Sequence, residues 1–142
     1  MTIAVILRDK GGEVVSLSPD MTVADAVALF AERRIGAAPV VAGGEVLGIF
    51  SERDVIHCLQ ARGREALAAP VSEVMTAPPI TAAPDQPVIA ALSLMTRRRI
   101  RHLPVLDGGR LIGFVSIGDL VKHRIDRIEA DAAAMRDYIA GV

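Results

Sequence analysis

Ser51-Glu52-Arg53-Asp54 and Ser116-Ile117-Gly118-Asp119 share the pattern Ser-x-x-Asp, and each directly follows a short apolar run. A serine at a helix N-cap with an acid three residues on forms a capping box, whose hydroxyl and carboxylate satisfy free backbone amides for about 1 kcal/mol. The same groups offer a second chemistry. A carboxylate so placed can accept hydrogen bonds from both hydroxyls of a ribose, while the serine and the helix N-terminal amides face phosphate oxygens. One residue pair can fill both roles.

Arg101 and His102 add a guanidinium fork and an imidazole side by side, a pairing suited to a phosphate. Arg97, Arg98 and Arg99 precede them at the end of a helical stretch, where cations stabilise the helix dipole without any ligand. Other chemistries find little support. His57 and His123 lie in helical segments with no second ligand at i+3 or i+4, so no metal site is expected. Cys58 is the only cysteine, which excludes an internal disulfide and reads as a small core residue. Neither G-x-G-x-x-G nor G-x-x-x-x-G-K-[ST] occurs, and no nucleophile-base pair can be read. An enzyme is therefore not expected, and no catalytic residue is assigned.

The elements that must position these residues occur twice. Ile35, Pro39, Val40, Gly43, Gly44, Gly48, Ser51 and Asp54 match Ile100, Pro104, Val105, Gly108, Gly109, Gly113, Ser116 and Asp119 without a gap. The chain is an internal duplication. In the first copy, Val14 to Leu17 reads as a strand, Thr22 to Arg34 as a helix with Thr22 and Asp25 at capping-box spacing, and the run from Ala37 to Phe50 as a hairpin about Gly43-Gly44. A helix opened by Ser51 runs to about Ala61. The second copy retraces this path through Ile80 to Ala82, a helix from about Gln86 to Arg99, strands His102 to Leu106 and Arg110 to Val115, and a helix from about Ile117.

Each unit is thus β-α-β-β-α, and the fold class is α/β. A three-stranded sheet with helices on one face leaves its other face open, so the units are expected to pack sheet to sheet about a pseudo-twofold axis, with two clefts between them. Residues 1–61 would hold a lead-in helix, capped by Thr2, and the first repeat. Residues 62–79, with Pro70, Pro78 and Pro79, form a connector, and 80–142 form the second repeat with an extended C-terminal helix. That last helix, to about Ile139, carries Val121, Ile125, Ile128, Ala132, Met135 and Ile139 at alternating spacings of four and three, the seam of a helix that meets another helix. A homodimer contact is the expected use.

Composition narrows the partners. Apolar residues make up 51% of the chain, yet charges and prolines interrupt every run before the roughly 18 residues a membrane span needs. A net charge of −1, one Tyr, three Phe and no Trp argue against a nucleic-acid surface. The N-terminus lacks a basic lead and a small-residue cleavage site, so a soluble cytoplasmic protein is expected.

The tandem units, the apolar-Pro-Val strands, the G-x-x-S-x-x-D endings and Val74-Met75-Thr76 before the second repeat resemble a cystathionine-β-synthase (CBS) domain pair, of the small stand-alone bacterial kind. The resemblance implies a non-catalytic sensor that binds an adenosine-containing ligand (AMP, ADP, ATP, NAD or S-adenosylmethionine) in the inter-repeat clefts and regulates a partner protein. Position by position it implies a first cleft of Ser51, Arg53, Asp54, Thr76, Ile80, Arg101 and His102. A second cleft would comprise Ser116, Asp119, Val15, Gly36 and Ala37, with Lys10 nearby. Gly36 and Ala37 stand where the first cleft has Arg101 and His102, so the first cleft is expected to hold phosphate more tightly. The alternative function is a dimeric interaction module whose clefts are vestigial.

Overall fold

The computed structural model describes residues 1–141. Its elements run α1 (Ile3–Lys10), α2 (Val23–Arg33), β1 (Ala37–Ala42), β2 (Glu45–Ser51), α3 (Glu52–Arg62), α4 (Val71–Val74), α5 (Val88–Arg98), β3 (His102–Asp107), β4 (Arg110–Ser116) and α6 (Ile117–Ile139), with a 3-10 turn over Gly63–Ala68. β1 pairs antiparallel with β2, and β3 with β4. Both hairpins turn on Gly-Gly pairs with positive φ (58° and 78°, then 59° and 82°), as a tight two-residue turn demands. Each carries an irregularity at the same place, between Val40 and Val41 and between Val105 and Leu106. The duplication extends to the details of register.

The expected first strand of each unit shrinks to one residue. Leu17 bridges Val40 in parallel, donating to Pro39 O at 2.9 Å and accepting from Val41 N at 2.8 Å. The next rung on one side needs an amide hydrogen from Pro39 and on the other side one from Pro19. Neither proline has one. Ala82 repeats the arrangement against Val105 between Pro84 and Pro104.

Two apolar cores form, one per repeat. Phe50, Leu17, Val23, Val40 and Val71 fill the first, and Met95, Leu103, Val105, Val115 and Leu120 fill the second. Full burial of such side chains contributes about 1.5–3 kcal/mol each. The lead-in helix departs from its place in the sequence. Ile3 and Ile6 are buried in the core of the second repeat, while Ala66 and Val71 of the connector are buried in the core of the first. Ile3 N donates to Gln86 O and Val23 N to Ala69 O, both at 3.0 Å, so each half is closed by the segment that precedes the other. β2 and β4 meet at the centre.

Candidate functional site

Both Ser-x-x-Asp motifs form complete capping boxes at the strand-to-helix junctions β2-α3 and β4-α6. Asp54 Oδ2 accepts from Ser51 N at 2.9 Å and Ser51 Oγ at 3.0 Å. Its other oxygen accepts from the Thr76 hydroxyl at 2.9 Å. Thr76 is held there because its backbone bridges Ile49 of β2 through two bonds of 2.9 Å. A carboxylate has about four acceptor positions, so roughly one remains open on Asp54, and rotation of the Thr76 hydroxyl frees a second.

These groups line a cavity of about 590 Å³ between the repeats, a volume within the usual range for small-molecule sites. All seven residues assigned to the first cleft from the sequence (Ser51, Arg53, Asp54, Thr76, Ile80, Arg101 and His102) line it. Pro78, Pro79 and Ile100 add apolar wall. Arg53 Nη1 donates to Arg99 O at 3.2 Å, which ties the helix start of one repeat to the strand entry of the other.

Two charged lining residues were not assigned from the sequence, Glu52 and Arg99. Arg99 had an adequate explanation as a helix-terminal cation, and its backbone adopts the left-handed conformation (φ 54°), as does Arg34 (φ 55°) at the matching position. That conformation turns the chain into β3 and sets Arg99 at the cavity. Gly36 also faces this cavity rather than belonging only with the second set. Its carbonyl accepts from Glu52 N at 2.9 Å, and a Cβ on it would lie 2.8 Å from Glu52 Oε1, so a side chain here would displace that carboxylate.

The cavity is electrically uneven. Arg53, Arg99 and Arg101 with His102 face Glu52 and Asp54. His102 stacks on Phe114 with ring centroids 5.4 Å apart and planes 10° apart. Burial lowers its imidazole below the ordinary histidine value, and the charges of Lys10 and Arg101 lower it further against the opposing pull of Asp119 and Glu52.

The second motif is differently occupied. Lys10 Nζ, at the end of α1, donates to Asp119 Oδ2 and to Phe114 O, each at 2.7 Å. Ser116 N donates to the same Asp119 oxygen at 2.8 Å. Burial alone would raise the Asp119 carboxyl, but the hydrogen bonds from Lys10 and Ser116 and the Lys10 charge outweigh it and hold the group below the usual carboxylate range. Leu7 packs on Gly113, where an added Cβ would collide with it, as Met75 and Thr76 pack on Gly48. Helix α1 thus fills for the second repeat the place that the Met75-Thr76 segment fills for the first. Ala37 is buried in β1 and Val15 is half-buried.

Among the described residues no cluster of three or more His, Cys, Asp or Glu could hold a metal, and no helix is long and apolar enough to cross a membrane. The family model of the CBS domain matches residues 8–61 and again residues 71–126. The chain belongs to the CBS domain family. Among solved structures, this CBS pair is similar to a putative signal-transduction protein with CBS domains from Burkholderia ambifaria MC40-6, with 43% identity, 89% of this chain and 95% of that chain covered, and a TM-score of 0.84. It is 34% identical to the CBS domain-containing protein YhcV of Bacillus subtilis over 85% of this chain and 86% of that protein. The CBS domain protein PAE2072 from Pyrobaculum aerophilum, whose structure is a complex with AMP, is 28% identical over 84% of this chain and 89% of that chain, with a TM-score of 0.74.

Proposed function

We propose that this CBS pair is a non-catalytic regulatory module that binds an adenosine-containing nucleotide in the first inter-repeat cleft. The observation that supports it is convergence: a capping-box aspartate with acceptor capacity to spare, and an Arg101-His102 pair from the other repeat, meet in one cavity of nucleotide-compatible size. In this reading Asp54 accepts the ribose hydroxyls, with Ser51, Thr76 and the first amides of α3 beside it. Arg101 and His102 hold the phosphate, Arg53 and Arg99 add positive charge, and Ile80 with the two prolines borders the base. The AMP complex of PAE2072 supports adenosine recognition by a relative of similar architecture.

The second set, Ser116, Asp119, Val15, Gly36 and Ala37 with Lys10, is the weaker cleft. Lys10 and Ser116 N both occupy Asp119 Oδ2, so a ribose would have to share the carboxylate with an ammonium, and Gly36 and Ala37 bring no charge for a phosphate. Binding would shift the relative position of the repeats, and so a regulated partner, by no more than the ligand's differential affinity for the two arrangements. Calorimetric titration with AMP, ADP, ATP, NAD and S-adenosylmethionine tests the proposal. One equivalent of at least one of these per chain is expected, and absence of heat with all five at millimolar concentration would overturn it.

A further inference from the structure

The two repeats differ in what covers the start of their first long helix. In the first repeat the connector crosses α2 and α3 as the 3-10 turn Gly63–Ala68, and Ala66 is fully buried in one core with Val23 and Cys58. The chain leaves that turn along a fixed path: Ala69 O accepts from Val23 N at 3.0 Å, and Pro70 bridges Thr22. The second repeat reproduces the path. Met1 O accepts from Val88 N at 3.1 Å, and Thr2 bridges Pro87. At the place that matches the turn, a cavity of about 290 Å³ lies between α5 and α6. Val88 and His123, the counterparts of Val23 and Cys58, line it.

Its lining is cationic. Arg124 and Arg127 stand at the cavity with one acid, Asp131, which lies 3.6 Å from Arg127. Arg124 enters no ion pair among the described residues. Nδ1 of His123 is shut off from solvent and has no hydrogen-bond partner. Helix α5 also begins without a cap. Thr22 caps α2 by accepting from Asp25 N, whereas the matching residues of α5 are Pro87 and Ala90, whose side chains hold no acceptor. The Ile89 and Ala90 amides have no partner among the described residues. A carboxylate satisfies such amides, and the helix dipole and the unpaired Arg124 both favour one there.

The geometry points to an acidic turn of a partner protein as the occupant of this cavity, docked between α5 and α6 as the connector is docked between α2 and α3. A small residue of that turn takes the place of Ala66 against Val88, and a neighbouring Asp or Glu caps α5 and pairs with Arg124. His123, as the Nδ1–H tautomer, donates to a backbone carbonyl of the turn. The shared backbone path defines the shape of the occupant, and the cations define its charge. This inference is independent of nucleotide binding, since none of these residues lines the first cleft.

Amide NMR of the full chain, titrated with a synthetic peptide, tests the docking. The probe is Gly63–Val71 of the connector with Arg64→Glu, which keeps the turn and sets a second acid beside Glu65. Titration is expected to move the Ile89 and Ala90 amide resonances with a dissociation constant of about 0.1 mM, as suits a small, transient contact. Arg124→Glu is expected to weaken the peptide about tenfold. Arg124 is exposed, so the fold does not depend on it. Unmoved resonances at millimolar peptide would overturn the proposal. So would equal binding of a control peptide that retains Arg64 and carries Glu65→Gln, which has no acid. The same shifts with inorganic phosphate alone would assign the cavity to a free anion and overturn the docked turn.

Discussion

Asp54 and Asp119 occupy matched positions in matched capping boxes, yet a neutral hydroxyl faces one and an ammonium the other. The difference comes from single residues outside the motif, Thr76 and Lys10. Arg34 and Arg99 form a second matched pair, both in the left-handed region that costs a residue with a Cβ about 1–2 kcal/mol. Arg34→Gly removes that cost but adds about 0.5–1 kcal/mol of chain entropy to be lost on folding. A net gain of about 0.5 kcal/mol is therefore expected in urea unfolding. Arg99→Gly is expected to gain similarly in stability while weakening nucleotide binding, since it removes a guanidinium from the cavity. Equal affinity in the Arg99→Gly variant and the wild type would remove Arg99 from the site.

His102 carries a pH dependence whose sign follows from its lowered value. The unfolded imidazole titrates near 6.5, above the folded one, so between the two values the unfolded state holds more protons. The stability contribution is complete above about pH 6.5 and is lost as pH falls through the folded value. Asp119, also lowered, contributes above the ordinary carboxylate range and loses that contribution in more acidic solution. A phosphate beside His102 would reverse the imidazole's balance and draw a proton into the complex. Calorimetry in buffers of different ionisation enthalpy should therefore show proton uptake on binding near pH 6.5, and uptake should vanish in His102→Gln.

At the scale of elements, α1 is the least expected feature. Although it precedes the first repeat in the chain, it completes the core of the second through Ile3 and Ile6 and delivers Lys10 to Asp119. The ion pair is partly exposed, with side chains 38% and 28% accessible, so its loss should cost only about 0.2–1 kcal/mol. Its electrical effect is more readily observed. Lys10→Met should raise the pH at which His102 titrates by NMR, because the ammonium is the largest charge acting to lower it. An unchanged titration would show that the two halves of the centre are not coupled.

Much of this arrangement was legible in the sequence, because repetition supplies its own check. Gly-Gly tips, Pro-Val strands and Ser-x-x-Asp caps recurring at one offset fixed both hairpins and the start of α6, whereas the grouping of the residues around the cavity came from the resemblance to CBS pairs. The shortened first strands were hidden because each depends on two prolines in different segments, Pro19 with Pro39 and Pro84 with Pro104, whose missing amides matter only once the segments are paired. The exchange of α1 and the connector was hidden for a related reason: both are apolar segments beside two equivalent cores, and sequence order favours the wrong one. Arg99 escaped because a helix terminus already accounted for its charge, and Glu52 because it fills a variable position inside Ser-x-x-Asp.

On the scale of the whole molecule, the duplication yields two pseudo-equivalent half-sites that differ in charge. One sets Asp54, Arg101 and His102 around a cavity, and in the other Lys10 forms an ion pair with Asp119. The central claim is that the half-site with the cavity binds the nucleotide. Calorimetric titration of AMP into the wild type, Asp54→Asn and Asp119→Asn tests it most directly. The account predicts one equivalent per wild-type chain, at least a tenfold loss of affinity in Asp54→Asn, and little change in Asp119→Asn. Loss of binding in Asp119→Asn with full affinity retained in Asp54→Asn would contradict it.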